Sequence, residues 1–437
     1  MPLLKRLLVN FKLSKILIIC SLVFGFLFAN TTYASGVLAT VGSELYYPNA
    51  YGATPSLEQL TALGRQIFSD KRLSGSGKLS CASCHSPNHA YGSPNHLMTQ
   101  LGGSAMNRMG FRNTPSLTYL QSPVKFTEHF YEPEVTGGQD DEGPTGGRTW
   151  DGRANTGHEQ ALIPLLDANE MANLSLADVV EKIAKSNYAV EFKQTFSQSG
   201  ENVFDNPDAV LGWMTLALEV FEHSPADFHP FTSKYDAYLR DEVNLNKQEK
   251  RGLEVFNDIK KGNCASCHTS TLKNTANSSP MFTDFGYIAT AAPRNKNLAA
   301  NADANFYDLG LCGPLRTDLS TKPQYCGLFR TPTLRNVALR KSYFHNGVFH
   351  TLKEVMDFYV TRDITPQKWY SKTVDGKTIA YDDLPVKYQA NINKDIPFSP
   401  LAGNKPRLSQ SEINDVIAFL NTLSDGYKPE KSKIKKH

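Results

Sequence analysis

The spacing of apolar residues predicts three amphipathic helices along this chain. The first follows Ser56, which forms a capping box with Gln59 and so predicts a helix start. Its apolar positions recur every three or four residues, at Leu57, Leu60, Leu63 and Ile67. This predicted helix stands immediately before the first of two cysteine motifs.

Two further helices are predicted in the second half by the same reasoning. Asn246 and Glu249 form a capping box ahead of a segment that runs towards the second cysteine motif. Ser409 and Glu412 form another, ahead of a strongly periodic helix that we expect to end near Gly426. The apolar positions are Leu253, Phe256 and Ile259 in the first of these helices and Ile413, Val416, Ile417 and Leu420 in the second.

Three stretches without such periodicity predict surface loops. They are the glycine-rich segment 137–147 and the segments 274–308 and 372–383. Any of them could shape a docking surface or a gap between domains.

Composition and charge narrow the class of protein. Apolar residues make up 40% of the 437 positions and charged residues 20%, which is typical of a globular protein. At roughly 150 residues per domain, the length suggests two to three domains. The 46 Lys and Arg residues nearly balance the 43 Asp and Glu residues, so the sequence gives no support to a nucleic-acid partner.

The N-terminus has the pattern of a secretory signal peptide. Four basic residues precede an apolar run at 16–29 that is too short for a comfortable bilayer span, and small residues follow it. The basic residues are Lys5, Arg6, Lys12 and Lys15. We interpret 1–34 as a signal peptide cleaved after Ala34, with an uncleaved membrane anchor as the alternative. In both interpretations the bulk of the chain is exported, and we therefore predict a periplasmic location.

The strongest chemical pattern is a pair of identical pentapeptides, Cys-Ala-Ser-Cys-His, at 81–85 and 264–268. A CxxCH sequence is typical of c-type haem attachment, in which both thiols join the haem and the adjacent histidine binds its iron. Cys81, Cys84, Cys264 and Cys267 are therefore predicted to hold two haems, with His85 and His268 as iron ligands. A redox CxxC pair or half of a zinc site is the alternative for a single copy, and two copies in an exported chain disfavour it.

The two remaining cysteines outside the leader are Cys312 and Cys326. Because an exported chain reaches an oxidising compartment, we predict that they form a structural disulfide.

The repetition extends beyond the pentapeptides. The segment 111–117 (FRNTPSL) is echoed at 329–334 (FRTPTL), and aligning Glu159 with Glu354 places Pro164 opposite Tyr359. If this position faces the iron, proline leaves the first site open whereas tyrosine can coordinate the second iron. Met356, His345 and His350 are rival ligands in the same stretch.

Together these patterns predict a mainly α protein with two tandem cytochrome c-like haem domains, related by internal duplication. The N-terminal haem domain is expected at 35–245 and the C-terminal haem domain at 246–427, followed by a basic tail at 428–437.

In the order of its motifs the chain resembles the bacterial dihaem cytochrome c peroxidases and the related maturases of the MauG type. The first half contributes LSGSG at 73–77, RNTP at 112–115, WDGRA at 150–154, EQA at 159–161 and NEM at 169–171. The second half contributes TLRNV at 333–337 and YFHNG at 343–347.

The resemblance implies roles for individual residues. Glu170 matches the distal-pocket acid/base, with Gln160 and Pro164 as its neighbours, and Trp150 matches a tryptophan between the haems that is a plausible electron bridge. Asn113 matches a ligand of an interdomain calcium ion, whose other protein ligands would be the carbonyls of Arg340 and Ser342. The resemblance also admits a homodimer.

Two positions depart from the peroxidase pattern. Many members cap the first haem with a histidine, but Ala105 stands at that position, and His89 and His96 are the nearby histidines. Tyr359 replaces the methionine that peroxidases usually place on the second haem, which resembles the maturase branch and should lower that haem's potential.

Three functions are consistent with these residues. In the first, hydrogen peroxide is reduced to water at the His85 haem, with electrons entering through the His268 haem from a small cytochrome c or cupredoxin. In the second, a MauG-type oxidase acts on a partner protein by long-range electron transfer. In the third, the protein is a dihaem electron carrier without catalysis. Pro164 and Glu170 favour an enzyme, and the shared family motifs favour the peroxidase.

Overall fold

The structure is a computed structural model that describes residues 53–120, 124–131, 141–197, 200–270 and 279–429. The predicted signal peptide at 1–34 and the tail from 430 onwards lie outside the described residues. Among the described residues, no helix is both long enough and apolar enough to cross a membrane.

Helices dominate the described regular structure, as the sequence predicted. In the first half they are α1 (Leu57–Ser69), α2 (Cys81–Cys84), α3 (Gly157–Leu166), α4 (Leu176–Ala184), α5 (Ala189–Phe196), α6 (Pro207–Glu222) and α7 (Pro225–Phe228). In the second half they are α8 (Lys234–Leu239), α9 (Lys247–Asn257), α10 (Leu352–Thr361), α11 (Pro366–Trp369) and α12 (Gln410–Asn421).

The described strands form three short antiparallel pairs. They are β1 (Leu101–Gly102) with β2 (Arg108–Met109), β3 (Tyr287–Ile288) with β4 (Phe329–Arg330), and β5 (Thr373–Val374) with β6 (Lys377–Thr378). In the central pair Tyr287 lies opposite Arg330 and Ile288 opposite Phe329. These pairs tie loops together and build no extended sheet.

All three predicted capping boxes are present. Ser56, Asn246 and Ser409 each accept a backbone N–H from the third residue of their helix, and the side chain of that residue bonds back. The predicted end of the last helix near Gly426 is wrong, because α12 ends at Asn421. The Thr422 side chain bonds the Phe419 carbonyl (2.6 Å), and the chain then turns so that Leu423 is buried.

The same helix crossing occurs once in each half. Gly64 of α1 lies directly against the Ala217 carbonyl of α6, and Gly252 of α9 lies directly against the Asp415 carbonyl of α12. At both places a Cβ atom would collide with backbone, so glycine lets the helices approach closely. The predicted internal duplication stays a prediction, and this recurring contact is consistent with it.

Two large apolar clusters form around these crossings. The first draws its buried residues from 53–228 and the second from 235–423. All described residues belong to one compact unit. The predicted boundary between residues 245 and 246 falls within the range of the second cluster, since Tyr235 and Leu245 already belong to that cluster, and it stays a prediction.

Two of the predicted surface loops contain buried segments. Within 274–308, Phe282, Ala289 and Leu298 are buried. At the end of 137–147, Thr145 is buried and its backbone pairs with Thr127 and with Gly286. These segments pack against other loops. Their buried residues do not recur at helix or strand spacing, so the sequence pattern did not predict their burial. The third segment, 372–383, is largely exposed and carries the β5–β6 hairpin.

Cys312 and Cys326 form a disulfide bond, with their Cα atoms 4.7 Å apart. Both residues are buried beside a small apolar cluster of Leu311, Leu319 and Tyr325.

Candidate active site

The first CxxCH motif forms a single helical turn, α2, that presents His85 with a fixed ring orientation. The His85 N–H donates to the Cys81 carbonyl (2.8 Å), and Nδ1 lies 3.0 Å from the Tyr91 carbonyl. Because a carbonyl only accepts, Nδ1 carries the proton and Nε2 keeps its lone pair. Burial lowers the pKa of His85 to about 4, which keeps the ring neutral. This is the state in which imidazole binds iron.

The second motif repeats this arrangement on a 3₁₀ turn at Cys264–Ser266. The His268 N–H donates to the Cys264 carbonyl (2.8 Å), and Nδ1 lies 3.1 Å from the Phe282 carbonyl. Burial lowers the pKa of His268 to about 4 as well. Both histidines therefore have an Nε2 atom that is free to coordinate iron.

Each motif lines its own cavity. The His85 cavity, of about 210 Å³, contains Cys81, Cys84 and His85 in its wall. The His268 cavity, of about 400 Å³, contains Cys264, Cys267 and His268. Both walls are mainly apolar, and two thiols with one imidazole are the donor set that a c-type haem needs. The residues present therefore fit two haems.

The zinc alternative finds no support in the geometry. Within the described ranges, no three His, Cys, Asp or Glu side chains are grouped so that they could hold a metal ion. The two motifs therefore do not combine into a four-ligand zinc site.

Glu170 contributes its side chain to the His85 cavity. Its N–H donates to the Asp167 carbonyl (3.0 Å), and its own carbonyl accepts the Gly103 N–H (2.8 Å). The residue as a whole is exposed, while protein atoms lie close around its carboxyl group. This burial, with the neighbouring Asp167 carboxylate, raises the pKa of Glu170 to about 7. A carboxyl group that titrates near neutral pH can both accept and return a proton.

Gln160 and Pro164 lie in the same cavity wall, on α3. The Gln160 side-chain oxygen is buried and has no hydrogen-bond partner among the described residues, so it is available to a group inside the cavity. Pro164 offers no side-chain ligand, as its sequence position predicted.

Sequence reasoning missed one carboxyl group of this cavity. Glu222, at the end of α6, lines the wall, and burial raises its pKa to about 7. The Arg148 guanidinium partly opposes that rise, and Glu219 adds to it. The available clue was a pair of glutamates, Glu219 and Glu222, within an otherwise apolar helix.

In the described part of the His85 cavity, the wall contains no histidine other than His85. His89 lies with Nδ1 3.2 Å from the Ser86 hydroxyl. His96 is exposed, with its ring centroid 6.2 Å from that of His350. Ala105 is exposed in a turn.

Tyr359 lies in the wall of the His268 cavity, on α10. Its ring stacks on that of Phe398, with centroids 4.9 Å apart. Its hydroxyl makes no hydrogen bond to another described residue. Burial is the main cause of a raised pKa for this phenol, and the neighbouring thiols of Cys267 and Cys264 add to the rise. The phenol oxygen is thus available beside the attachment site.

Two of the rival ligands line the same cavity. Met356 is buried there, and the His345 ring stacks on that of Phe329 with centroids 3.6 Å apart. His350 is not part of this wall. Its Nδ1 atom lies 3.3 Å from the Lys341 carbonyl oxygen.

Trp150 lines both cavities. Its indole N–H donates to the Asn113 carbonyl (2.7 Å), and its own carbonyl accepts the Arg330 N–H (2.9 Å). A residue of the first half therefore holds the indole, and a residue of the second half holds the Trp150 backbone.

The structure brings Asn113 to Ser342, as the calcium prediction requires. However, the Asn113 Nδ2 donates to the carbonyls of Ser342 (3.1 Å) and Phe344 (3.2 Å), while Oδ1 accepts from the Ser342 hydroxyl (2.9 Å). The Arg340 carbonyl accepts the Tyr343 hydroxyl (3.1 Å). A cation would need the amide turned so that its oxygen joins these carbonyls, and calcium binding stays a prediction.

Comparison with known proteins gives consistent matches. A family described as di-haem cytochrome c peroxidase matches residues 58–244. The methylamine utilization protein MauG of Paracoccus denitrificans is 31% identical over 380 residues, covering 85% of this chain and 90% of that protein. The cytochrome c551 peroxidase of Pseudomonas aeruginosa is 30% identical over 335 residues, covering 76% and 77%.

Among solved structures, the diheme peroxidase BthA from Burkholderia thailandensis superposes with a TM-score of 0.74. It is 36% identical, and the match covers 87% of this chain and 89% of that one.

Proposed function

This chain belongs to the dihaem cytochrome c peroxidase family, and we propose that it reduces hydrogen peroxide to water with electrons from a small cytochrome c or cupredoxin. It is an oxidoreductase with two covalently bound c-type haems, and peroxidase or MauG-like chemistry is what its relatives share. The donor, the direction of electron flow and export to the periplasm are parts of the proposal.

One observation carries the choice of reactive site: the His85 cavity combines a free imidazole Nε2 with Glu170 and Gln160. When bound there, haem iron supplies the centre at which peroxide binds and is reduced. Peroxide reduction consumes two electrons and two protons and yields two water molecules. Glu170, with a pKa raised to about 7, accepts a proton from one peroxide oxygen and returns it to the other. The Gln160 oxygen orients the peroxide by accepting a hydrogen bond.

The His268 site is proposed as the point of electron entry. Tyr359 and His268, which line the same cavity, would both hold the iron of a haem bound there. This site would then accept electrons while peroxide reacts at the His85 site. Trp150, which lines both cavities, carries electrons towards the His85 site. Because aromatic rings shorten the distance that each transfer must cover, the indole serves as a bridge.

Export to the periplasm is supported by chemistry inside the described chain. A disulfide such as Cys312–Cys326 persists in an oxidising compartment. The predicted signal peptide at 1–34 provides the route.

The alternative is a MauG-type oxidase that acts on a partner protein. Tyr359 favours it, because an oxygen ligand holds the second haem at lower potential than a methionine would. The 31% identity to MauG favours it as well.

Stopped-flow spectroscopy of the holoprotein separates the two functions. The protein is mixed with hydrogen peroxide and then with a reduced cytochrome c. Rapid and repeated oxidation of the cytochrome is the expected result. A long-lived oxidised enzyme that reacts poorly with the cytochrome would favour the protein-oxidising alternative. No reaction with peroxide would leave an electron carrier.

A further inference from the structure

Three arginines lie in the wall of the His268 cavity, and they differ in how their charge is balanced. Arg335 is fully paired: its guanidinium makes two hydrogen bonds, of 2.9 and 3.0 Å, to the Asp236 carboxylate, and neither side chain is exposed. Arg330 and Arg340 line the same cavity without a carboxylate partner among the described residues.

The hydrogen bonds of these two arginines are to backbone only. Arg330 donates from Nε to the Thr149 carbonyl (2.9 Å), and Arg340 donates from Nη2 to the Thr114 carbonyl (2.9 Å). Asp151 lies near Arg330, but its carboxylate oxygens already accept bonds from Arg112, Arg153 and the Thr149 hydroxyl. Each arginine therefore has side-chain N–H donors left without a hydrogen-bond partner among the described residues.

An unpaired guanidinium is unfavourable in such a place. Arg330 is buried, and burial lowers its pKa and lowers the pKa of Arg340 to about 10. Proteins compensate buried cations with an anion, and planar guanidinium binds carboxylate in a bidentate manner. Asp395 is the acidic residue of this cavity wall among the described residues. One carboxylate cannot balance two separate guanidiniums.

We infer that Arg330 and Arg340 bind the two propionate groups of the haem attached at Cys264 and Cys267. The numbers match, since this haem brings two carboxylates to a wall with two unpaired guanidiniums. This inference rests on the second haem, which the family supplies, and not on peroxide turnover. The arginines of the His85 cavity are already paired: Arg112 with Asp151 and Asp308, and Arg153 with Asp151.

The same contacts orient that haem. Both arginines are anchored to backbone carbonyls of the first half, at Thr149 and Thr114. A haem held by these two side chains would have its propionates on the side of the cavity where Thr114, Thr149 and Trp150 lie.

Redox titration of the holoprotein tests the assignment. We compare Arg330→Gln and Arg340→Gln with the parent, recording each haem separately by electron paramagnetic resonance between pH 5 and 8. Loss of either cation should lower the midpoint potential of the His268 haem, because a positive charge near the iron favours the ferrous state. The potential should also become pH-dependent, because an unpaired propionate binds a proton on reduction. The other titratable or charged groups near the two arginines are Tyr287, Tyr343, Arg148, Asp151 and His85.

Two controls keep the test specific. Arg330→Lys and Arg340→Lys retain the charge and should restore a potential close to that of the parent. Arg407→Gln removes an arginine that also bonds backbone carbonyls, those of Ser399 and Lys260, but lies outside the cavity wall. The assignment is overturned if both Gln variants behave like Arg407→Gln, or if the shift falls on the His85 haem.

A second measurement needs no variant. Infrared redox-difference spectra of the parent, with haem labelled by ¹³C at the propionate carboxyls, report whether these groups carry a proton. We expect ionised carboxylate bands only between pH 6 and 8. A labelled protonated-carboxyl band in this range would rule out pairing with the two arginines, even if the Gln variants failed to bind haem.

Discussion

The indole nitrogen of Trp150 donates a 2.7 Å hydrogen bond to the backbone carbonyl of Asn113. This bond fixes a buried aromatic ring in the wall shared by the two haem cavities. The Asn113 N–H in turn donates to the His345 carbonyl (2.6 Å), in the second half of the chain. The two halves are thus joined at the point where an electron would cross.

Replacing the indole tests this crossing. Trp150→Phe should retain both haems but slow the oxidation of reduced cytochrome c by peroxide roughly tenfold, which corresponds to ~1.4 kcal/mol of barrier. Stopped-flow kinetics at matched haem content measure the effect. The control is Trp369→Phe, since Trp369 also donates one hydrogen bond, to the Thr361 hydroxyl (3.0 Å), but lies in neither cavity wall. Equal rates in the two variants would remove Trp150 from the path.

Glu170→Gln should bind both haems and lose peroxide turnover by on the order of 10² or more, because an amide cannot shuttle the proton. Glu159→Gln is the matched control on the preceding helix. Its side chain accepts the Asn155 N–H, which an amide oxygen can also do, and it is not part of the cavity wall. Undiminished turnover in Glu170→Gln would show that the proton moves by another route.

The rate with peroxide should depend on pH near neutrality. Burial raises the pKa of Glu170 to about 7, and the group must be ionised to accept a proton from peroxide. We therefore expect kcat/KM to rise as pH increases through about 7 and to fall below it. The other charged groups in the cavity wall beside Glu170 include Glu222, Asp167 and Arg153.

The pH profile of Glu222→Gln assigns that inflection, because burial raises the pKa of Glu222 to about 7 as well. If Glu170 is the titrating group, the inflection persists in this variant. If the inflection disappeared in Glu222→Gln, Glu222 would be identified as the titrating group.

Tyr359→Met should raise the midpoint potential of the second haem by on the order of 100 mV, within the roughly 0.8 V range that axial ligands cover. Thioether stabilises ferrous iron relative to phenolate. Redox titration measures the shift, and Tyr359→Phe should change the spectrum of the same haem by removing the ligand. A spectrum unaltered in both variants would favour Met356 or His345 instead.

Gly64→Ala and Gly252→Ala should each destabilise the protein by about 1–3 kcal/mol, although alanine favours a helix more than glycine does. The new Cβ would collide with the Ala217 or the Asp415 carbonyl. Thermal unfolding of the holoprotein measures the change. For comparison, Ala62→Gly on the exposed face of α1 should cost about 1 kcal/mol through helix propensity alone. Alanine variants as stable as the parent would mean that the helices can separate at no cost.

The sequence by itself determined the local features of this protein. Both CxxCH motifs, the three capping boxes and the helix-rich class depend on residues within a few positions of one another, and local hydrogen bonding and periodicity encode them. The family also follows from such short motifs taken in order.

Tertiary structure alone decided what each cavity contains. Glu222 lines the His85 cavity because α6 packs against α1 and α3. The pair of glutamates in an otherwise apolar helix marks α6 as unusual, but it does not say which cavity a side chain would line. The burial of Phe282 and Ala289 within an expected surface loop arises in the same way, from packing against distant segments. Arg330, Arg335 and Arg340 look alike in sequence, and only long-range contacts show that Arg335 has a carboxylate partner. Charge compensation depends on distances in space, which residue order does not record.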